Sequence, residues 1–515
     1  MQTSLTLMAM DLLSMPAELL AGISEGLDVT DYANLRLCCK HVETLTFPDF
    51  AERFFSRRKF FRGYLSLTTL ASISESRFRS YMKTFLLSTV LFEPEPPIEA
   101  GNISKEGYLQ AYTEQTSILA SGWDRDVLIA AFRNLPNLEE IGVQDFDDRE
   151  DWDEDAGEMV AENDGGYGLK TVLRKLGYGP EKPLGQSGGT YRWAAAVQTL
   201  LTAAAKANVR PTVLSIAGRK LDRGYAPANG IGVDDDAFNI PSFMRQMILP
   251  VVEGLEELDL DIHNRFLYQP PDICRTSHLR EFLGLPKRLQ RLRIHRLRGG
   301  RLILGQIDDP VDDLWNWLGS DHKGKDKAPA GQDGSGSSNA SALTSPPPIS
   351  LPYLQELDLG DEDIPMADLT RLVKKVSPTL RKLSLHDIIL RDRSSPVYDT
   401  EYDEINAEVD LWASFCGKLA ALPCEDLHEV SLRGFGGLGS WHLQQFGDAS
   451  ALPGSVHFKV LRMAGEESYT AQAEFHYRGP DVKSALRQLV DDLRAAVLDG
   501  RHVFDSKHVQ RRNSF

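Results

Sequence analysis

A short pattern, Leu-x-x-Leu-x-Leu, recurs along the chain and constrains its fold more than any other feature. Six copies, some with Ile or Val replacing a leucine, begin at Leu138, Leu255, Leu289, Leu354, Leu380 and Leu427. A degenerate copy lies at Val213–Ile216. The last two apolar residues of each copy alternate with polar ones, as in a strand with one buried face. Helical spacing follows several copies, so the sequence predicts alternating strands and helices and an α/β fold.

Strand–helix units that recur in this way are how leucine-rich repeats are built. From Leu255 onward the distance between first leucines is irregular, from 26 residues (Leu354 to Leu380) to 65 residues (Leu289 to Leu354). We predict an irregular, divergent leucine-rich-repeat-like solenoid over residues 126–440. The alternative is an ordinary α/β domain in which leucine-rich strands happen to recur.

Two segments interrupt the repeat region. Residues 319–350 are rich in Gly, Ser, Ala and Pro and hold almost no large apolar residue, which predicts a disordered insertion. Residues 145–164 hold eleven acidic residues and the single basic residue Arg149, which predicts a solvated acidic loop.

The end of the chain has its own pattern. We predict a C-terminal cap over residues 441–500, with strands at 456–463 and 470–477, a helix at 482–498, and a flexible tail at 501–515. The apolar residues at helical spacing in this helix are Val482, Leu486, Leu489, Val490 and Leu493.

Composition excludes several classes of protein. The 515 residues carry 57 Lys and Arg against 74 Asp and Glu, a net charge of -17, which disfavours binding to nucleic acid or anionic lipid. Five cysteines argue against a disulfide framework. No apolar run approaches the roughly 18 residues of a membrane span. The sequence predicts a soluble protein of the cytoplasm, the nucleus or both, without a nucleic-acid or membrane partner.

The N-terminal segment predicts three short helices. Pro16 and Glu18 suit the first turn of one helix. Thr30 can cap a second helix, and a shorter third helix follows Pro48. The second helix would carry Leu35, Cys38, Cys39 and Val42 on one face. Because three short helices cannot hide all the apolar residues between Leu12 and Ile23, the segment predicts a module that a partner completes.

This segment resembles an F-box. Members of that family begin with Leu-Pro-x-Glu-(Leu/Ile), continue to an Ile and a Leu, then Asp-(Leu/Tyr) and a Leu, and end near Cys-Lys. The corresponding residues here are Met15-Pro16-Ala17-Glu18-Leu19, Ile23, Leu27, Asp31-Tyr32, Leu35 and Cys39-Lys40. The resemblance places the F-box at residues 8–61, and residues 62–125 predict a helical connection. More loosely, the C-terminal repeats resemble those of fungal F-box proteins.

The resemblance implies a substrate receptor. An F-box docks on the Skp adaptor, and through it on a cullin, while the repeats hold a protein target for ubiquitination. It implies a non-catalytic subunit without a cofactor. The residues expected to contact the adaptor are Leu12, Leu13, Met15, Pro16, Glu18, Leu19, Leu20, Ile23, Leu27, Leu35 and Cys39. The alternatives are an F-box scaffold acting outside a ligase, or apolar residues that simply pack on the repeat domain.

A basic copy of the repeat is the most evident target-binding site. Arg291, Arg293 and His295 would line an exposed strand face, where they could receive an acidic or phosphorylated target. Acidic residues occupy the matching positions of the neighbouring copies: Glu257, Asp259, Asp261, Glu356 and Asp358. If the copies stack in register, the charges pair in ladders, and the sequence favours this ladder over a target site.

Motifs for catalysis or metal binding are incomplete. Residues 434–439 match Gly-x-Gly-x-x-Gly, but no βαβ unit surrounds them, which favours a flexible turn over a nucleotide-binding enzyme. Asp151, Asp153, Asp155 and Glu162 match a calcium loop that has Ala156 where glycine is needed. We predict no catalytic residue and no metal site.

Overall fold

The computed structural model describes most of the chain. The described residues are 17–95, 104–144, 152–153, 158–159, 166–177, 191–218, 233, 235–263, 276–297, 314–321, 346–360, 362–392, 401–435, 456–461 and 470–498. The fold is α/β, as predicted. It divides into two compact units, one of residues 1–185 and 203–211, the other of residues 186–202 and 212–515. Within the described residues, no helix is both long and apolar enough to cross a membrane.

The first unit begins with three helices and continues into strands. Its elements are α1 (Ala17–Glu25), α2 (Val29–Leu37), α3 (Lys40–Phe55), β1 (Arg57–Phe60), α4 (Tyr64–Glu75), β2 (Thr84–Ser88), α5 (Lys105–Ser121), α6 (Trp123–Asn134), β3 (Glu140–Gln144), β4 (Trp152–Asp153), β5 (Glu158–Met159) and α7 (Leu169–Lys175). Strand β2 pairs in parallel with both β1 and β3. The short strands β4 and β5 form an antiparallel pair within the predicted acidic loop.

The boundary between the second and third helices differs from the prediction. Helix α2 begins after Asp28, whose carboxylate accepts the Asp31 N–H (2.7 Å), rather than after Thr30. Cys39 is extended (φ -162°), and its sulfur accepts the Val42 N–H as the N-cap of α3. The second helix therefore ends at Leu37, and α3 is a longer helix with Pro48 inside it.

Residues 62–125, predicted as a helical connection, also contain a strand. Strand β2 is buried at every position, and its apolar residues are continuous rather than alternating. This composition is expected of a parallel strand covered on both faces. Alternation, the signal that located the other strands, is absent for that reason.

The second unit alternates strands and helices. Helix α8 (Tyr191–Ala207) has residues in both units. The elements that follow are β6 (Val213–Ala217), α9 (Ser242–Val252), β7 (Glu257–His263), α10 (Ser277–Leu283), β8 (Arg291–Leu297), α11 (Leu314–Gly319), β9 (Glu356–Gly360), β10 (Asp363–Pro365), α12 (Met366–Val376), β11 (Lys382–His386), β12 (Ile389–Arg391), α13 (Glu401–Ala421), β13 (Glu429–Phe435), β14 (Val456–Leu461), β15 (Thr470–Arg478) and α14 (Val482–Leu498).

Parallel pairing joins the leucine-rich strands in chain order. Strands β6, β7, β8, β9, β11 and β13 are successive neighbours. One buried row across them is Leu214, Leu258, Leu292, Leu357, Leu383 and Val430. A second is Ile216, Leu260, Ile294, Leu359, Leu385 and Leu432. All copies of the pattern lie on strands or lead directly into them, so the strand prediction is confirmed.

The C-terminal elements also agree with the prediction. Strand β15 pairs antiparallel with both β13 and β14. Helix α14 has the predicted bounds and packs against α13. All five apolar residues predicted on its inner face are buried.

Both ends of the predicted insertion belong to the fold. Gly319 is the last residue of α11, and the Trp317 indole donates to the Pro346 carbonyl (2.6 Å). The Lys375 ammonium donates to the carbonyls of Leu318 (2.8 Å) and Ser320 (2.5 Å). Residues 322–345 lie outside the described residues, as do residues 501–515 and most of 145–164.

Truncating the centre of a leucine row tests its contribution to stability. Leu357 is fully buried between Leu292 and Leu383, so Leu357→Ala should lower the free energy of unfolding by about 2–5 kcal/mol. Denaturant titration of the full chain measures the change. Tyr353→Ala, at an exposed position, should change the same quantity by less than about 0.5 kcal/mol. Equal effects of the two substitutions would contradict the assignment of the core.

Candidate partner-binding surfaces

Helix α1 has one packed face and one apolar exposed face. Leu20 is fully buried, whereas Leu19 and Ile23, one turn apart, are 50% and 48% exposed. The Arg53 guanidinium donates to the carbonyls of Ser24 (2.8 Å) and Leu27 (3.1 Å), which ties the end of α1 to α3. We call Leu19 and Ile23 the α1 surface. The helix is held in place while two large apolar side chains meet solvent.

The other residues predicted to contact an adaptor do not belong to the α1 surface. Leu27 and Leu35 are partly buried against the aromatic core of the three helices, and Cys39 caps α3. Glu18 is exposed. Leu12, Leu13, Met15 and Pro16 lie outside the described residues. Because Leu20 is fully buried, its substitution would disturb the packing of the helices.

The core beneath the α1 surface is aromatic. Tyr32 makes edge contacts with Phe50 and Phe54. Its hydroxyl donates to the Asp49 carboxylate (2.8 Å). Burial raises the pKa of the Tyr32 hydroxyl, so it remains a donor at neutral pH. These contacts explain how three short helices hold a defined shape.

The three helices are not self-contained. Phe78 stacks on Phe55 of α3, with ring centroids 4.1 Å apart. The Arg77 guanidinium lies 3.7 Å from the centroid of Phe47 and pairs with Glu43. The hydrogen bond from Arg77 is the largest cause that lowers the pKa of Glu43. A fragment ending at residue 61 would therefore lack part of the core of these helices.

A second group of side chains lies on the polar face of the parallel strands, where some are exposed and others are buried. The Arg291 guanidinium lies between Glu257 (3.4 Å) and Glu356 (3.6 Å). Arg293 pairs with Asp259 and with Asp261 (3.5 Å). These pairs match the strand register, so the predicted charge ladder is confirmed.

A histidine–carboxylate contact continues the ladder. The His295 Nε2 lies 3.0 Å from a carboxylate oxygen of Asp358, and the His386 Nε2 lies 3.5 Å from the same oxygen. Gly360 stands beside His295 in register, and a Cβ there would approach the His295 ring to 2.8 Å. A larger residue than glycine at this position would displace the ring.

Burial and ion pairing act in opposite directions on the pKa values of the charged residues in the ladder. Burial raises the pKa of Asp261 to about 6, although Arg293 opposes the shift. Burial is the largest single influence on Asp358 and acts to raise its pKa, but the hydrogen bond from His295 and the charges of His295, His386 and Arg293 together outweigh burial, so the pKa is lowered. For Arg293 burial acts to lower the pKa, but Asp259 and Asp261 outweigh it and the pKa is raised. Both arginines predicted to receive an acidic target are thus already paired with carboxylates.

The remaining motifs lie largely outside the described residues. Among the described residues, no cluster of His, Cys, Asp and Glu side chains could hold a metal ion. Gly434 and Phe435 end strand β13, and residues 436–439 of the glycine-rich motif lie outside the described residues. Of the calcium-like pattern, only the backbone of Asp153 is described. Burial raises the pKa of the Cys416 thiol to about 12, which disfavours a nucleophilic role.

Comparison with known proteins adds no family assignment. No protein-family model matches this sequence, and no curated protein is significantly similar to it. The α1 surface and the polar face of the parallel strands are the features of this structure that bear on function.

The buried carboxylate of Asp261 predicts a pH dependence of stability. The pKa of Asp261 in the folded state, about 6, lies above its ordinary value of 3.8, so the folded state binds the proton more tightly than the unfolded state. This contribution to stability is largest below the unfolded pKa and is lost as pH rises through about 6. Relative to Asp261→Asn, the wild type should gain about 1 kcal/mol of unfolding free energy between pH 7 and pH 5.

The measurement is denaturant unfolding of both proteins at the two pH values. Asparagine keeps an oxygen that can accept the Gly218 N–H, which Asp261 accepts at 3.0 Å, but it cannot ionise. A difference between the two proteins that does not change with pH would show that Asp261 is not the titrating group.

Proposed function

We propose that this protein is the substrate receptor of a Skp–cullin–F-box ubiquitin ligase. Helices α1–α3 would dock on the Skp adaptor, and the strand–helix units would form an irregular leucine-rich-repeat-like solenoid that holds a protein target. The observation that carries the proposal is the α1 surface: Leu19 and Ile23 are about half exposed on a helix whose other side is packed. The protein itself performs no chemistry in this role.

The energetics of the α1 surface support a binding role. Burying a leucine or isoleucine side chain contributes about 1.5–3 kcal/mol, so completing the burial of two half-exposed side chains contributes roughly 1.5–3 kcal/mol in total. Further apolar residues precede α1 in the sequence. A partner that covers this surface needs no ion pair to bind it.

The topology of the second unit supports a repeat scaffold. Six parallel strands neighbour each other in chain order, and each contributes a leucine, isoleucine or valine to both buried rows. Helices α11 to α14 each pack against the next helix in sequence. Repeats that contact mainly their neighbours present an extended surface for a protein target.

A scaffold acting outside a ligase would use the same docking surface. The two functions differ in whether the adaptor complex also retains a cullin. Co-purification of the full chain with adaptor and cullin supports the ligase, whereas an adaptor complex that excludes the cullin supports the scaffold.

The test of adaptor docking uses the full chain, because α3 packs on Phe78. The chain is co-expressed with a Skp adaptor, and affinity is measured for the wild type and for Leu19→Asp combined with Ile23→Asp. The double variant should weaken binding by about 10- to 100-fold, since it replaces apolar burial with buried charge.

Phe243→Asp is the matched control for this test. It places the same charge at an 83% exposed apolar position on α9, away from the α1 surface in sequence, and should leave adaptor affinity unchanged. Absence of wild-type binding, or unchanged binding by the double variant, would contradict adaptor docking through α1.

A further inference from the structure

Two aromatic side chains are stacked at the surface of the first unit. Tyr64 is the first residue of α4, and Trp123 is the first residue of α6. Their ring centroids lie 5.6 Å apart, and the two ring planes are inclined by only 19°. Tyr64 is 57% exposed, and Leu65 beside it is 39% exposed. We call Tyr64 and Trp123 the aromatic ledge.

A buried ion pair joins the two helix ends that carry the aromatic ledge. Arg62 donates from Nε (3.1 Å) and Nη2 (2.6 Å) to one carboxylate oxygen of Asp124, the residue that follows Trp123. Arg62 is 5% exposed and Asp124 is 2% exposed. The Gln115 amide donates to the Arg62 carbonyl (3.2 Å). Because breaking this pair would leave a buried charge without a partner, the starts of α4 and α6 are held together firmly.

Both rings of the aromatic ledge keep a free hydrogen-bond donor. Neither the Tyr64 hydroxyl nor the Trp123 indole N–H has a partner among the described residues. Tyrosine hydroxyls and indole N–H groups usually find a partner when they are buried. A segment that covers the aromatic ledge should therefore supply hydrogen-bond acceptors as well as apolar surface.

The charged residues next to Trp123 in sequence are already paired. Asp124 is neutralised by Arg62, and Arg125 pairs with Asp126 (3.2 Å). The aromatic ledge therefore presents no net charge from these residues, which disfavours a strongly acidic or basic segment as its partner.

The apolar surface on α4 is only one helical turn long. One turn after Tyr64 and Leu65 come Thr68 and Thr69, whose hydroxyls donate to the carbonyls of Tyr64 and Leu65 (both 2.8 Å). A partner helix makes apolar contacts over about two turns. The aromatic ledge is too short for such a helix, and its length suits a short extended segment.

We propose that the aromatic ledge binds a proline-rich segment of a partner protein in the polyproline II conformation. Such a segment has no internal hydrogen bonds, so its carbonyls can accept from the Tyr64 hydroxyl and the Trp123 indole. Its proline rings are apolar and uncharged, and they pack on exposed aromatic side chains. The aromatic ledge contains no residue of the α1 surface, so this proposal does not depend on adaptor docking.

The experiment measures binding of fluorescent peptide pools to the purified full chain without adaptor. In the first pool, proline occupies every third position and the other positions are random uncharged residues. In the second pool, alanine, which favours a helix, replaces each of those prolines. The proline pool should bind at least about tenfold more tightly than the alanine pool. Equal binding of the two pools, or no binding of the proline pool, would overturn the proposal.

Substitutions locate the site. Tyr64→Ala should weaken binding of the proline pool at least about tenfold, because it removes one ring of the stack. Tyr64→Phe and Trp123→Phe keep an aromatic ring but lose one donor, so each should weaken binding by about three- to tenfold. Tyr353→Ala, the same change at a position of equal exposure (57%) in the second unit, is the matched control and should have no effect.

Two further results would contradict the proposal. One is unchanged binding in Tyr64→Ala when thermal unfolding shows the variant to be folded, and Tyr64→Phe provides the same test if that variant does not fold. The other is self-association of the full chain that Tyr64→Ala abolishes in sedimentation measurements. Residues 346–348 are all proline, so that result would place a second copy of this chain on the aromatic ledge.

Discussion

Burial of apolar residues in register across parallel strands is the interaction on which the second unit depends. Each strand contributes one residue to each of two buried rows, and a slip of one residue would turn both rows toward solvent. The rows therefore determine the pairing of the strands. Since side chains alternate between faces, the same register also aligns the polar residues on the other face.

That alignment has consequences for binding. Residues that look like a basic target site along one strand, such as Arg291 and Arg293, are brought beside carboxylates of the neighbouring strands. Arg433 of β13, in contrast, stands beside His386 of β11 in register and makes no ion pair within the described part of the chain. Which cations are available to a partner is thus decided between strands rather than within one.

The N-terminal helices are held by individual side-chain contacts rather than by strand register. Helix α1 is held by hydrogen bonds from Arg53, and α3 by contacts with Phe78 and Arg77, so the α1 surface is presented by a rigid support. The apolar pattern predicted a module that needs a partner, but it did not distinguish Leu20, which is buried, from Leu19, which is exposed. Both are leucines of one helix, and only the position of α3 separates them. Resemblance to an F-box and exposure of Leu19 and Ile23 together support the proposed docking role.

The sequence by itself determined the leucine-rich strands, the C-terminal helix and the charge ladder, because each has a periodic pattern that follows directly from strand or helix geometry. Strand β2 was missed because a strand buried on both faces has no alternation. The break between α2 and α3 was missed because it depends on Cys39 leaving the helical conformation to cap the next helix. Tertiary structure alone decided which leucines of α1 are exposed and which side chains of the charge ladder are buried. These properties depend on neighbours distant in the chain, and no local pattern records them.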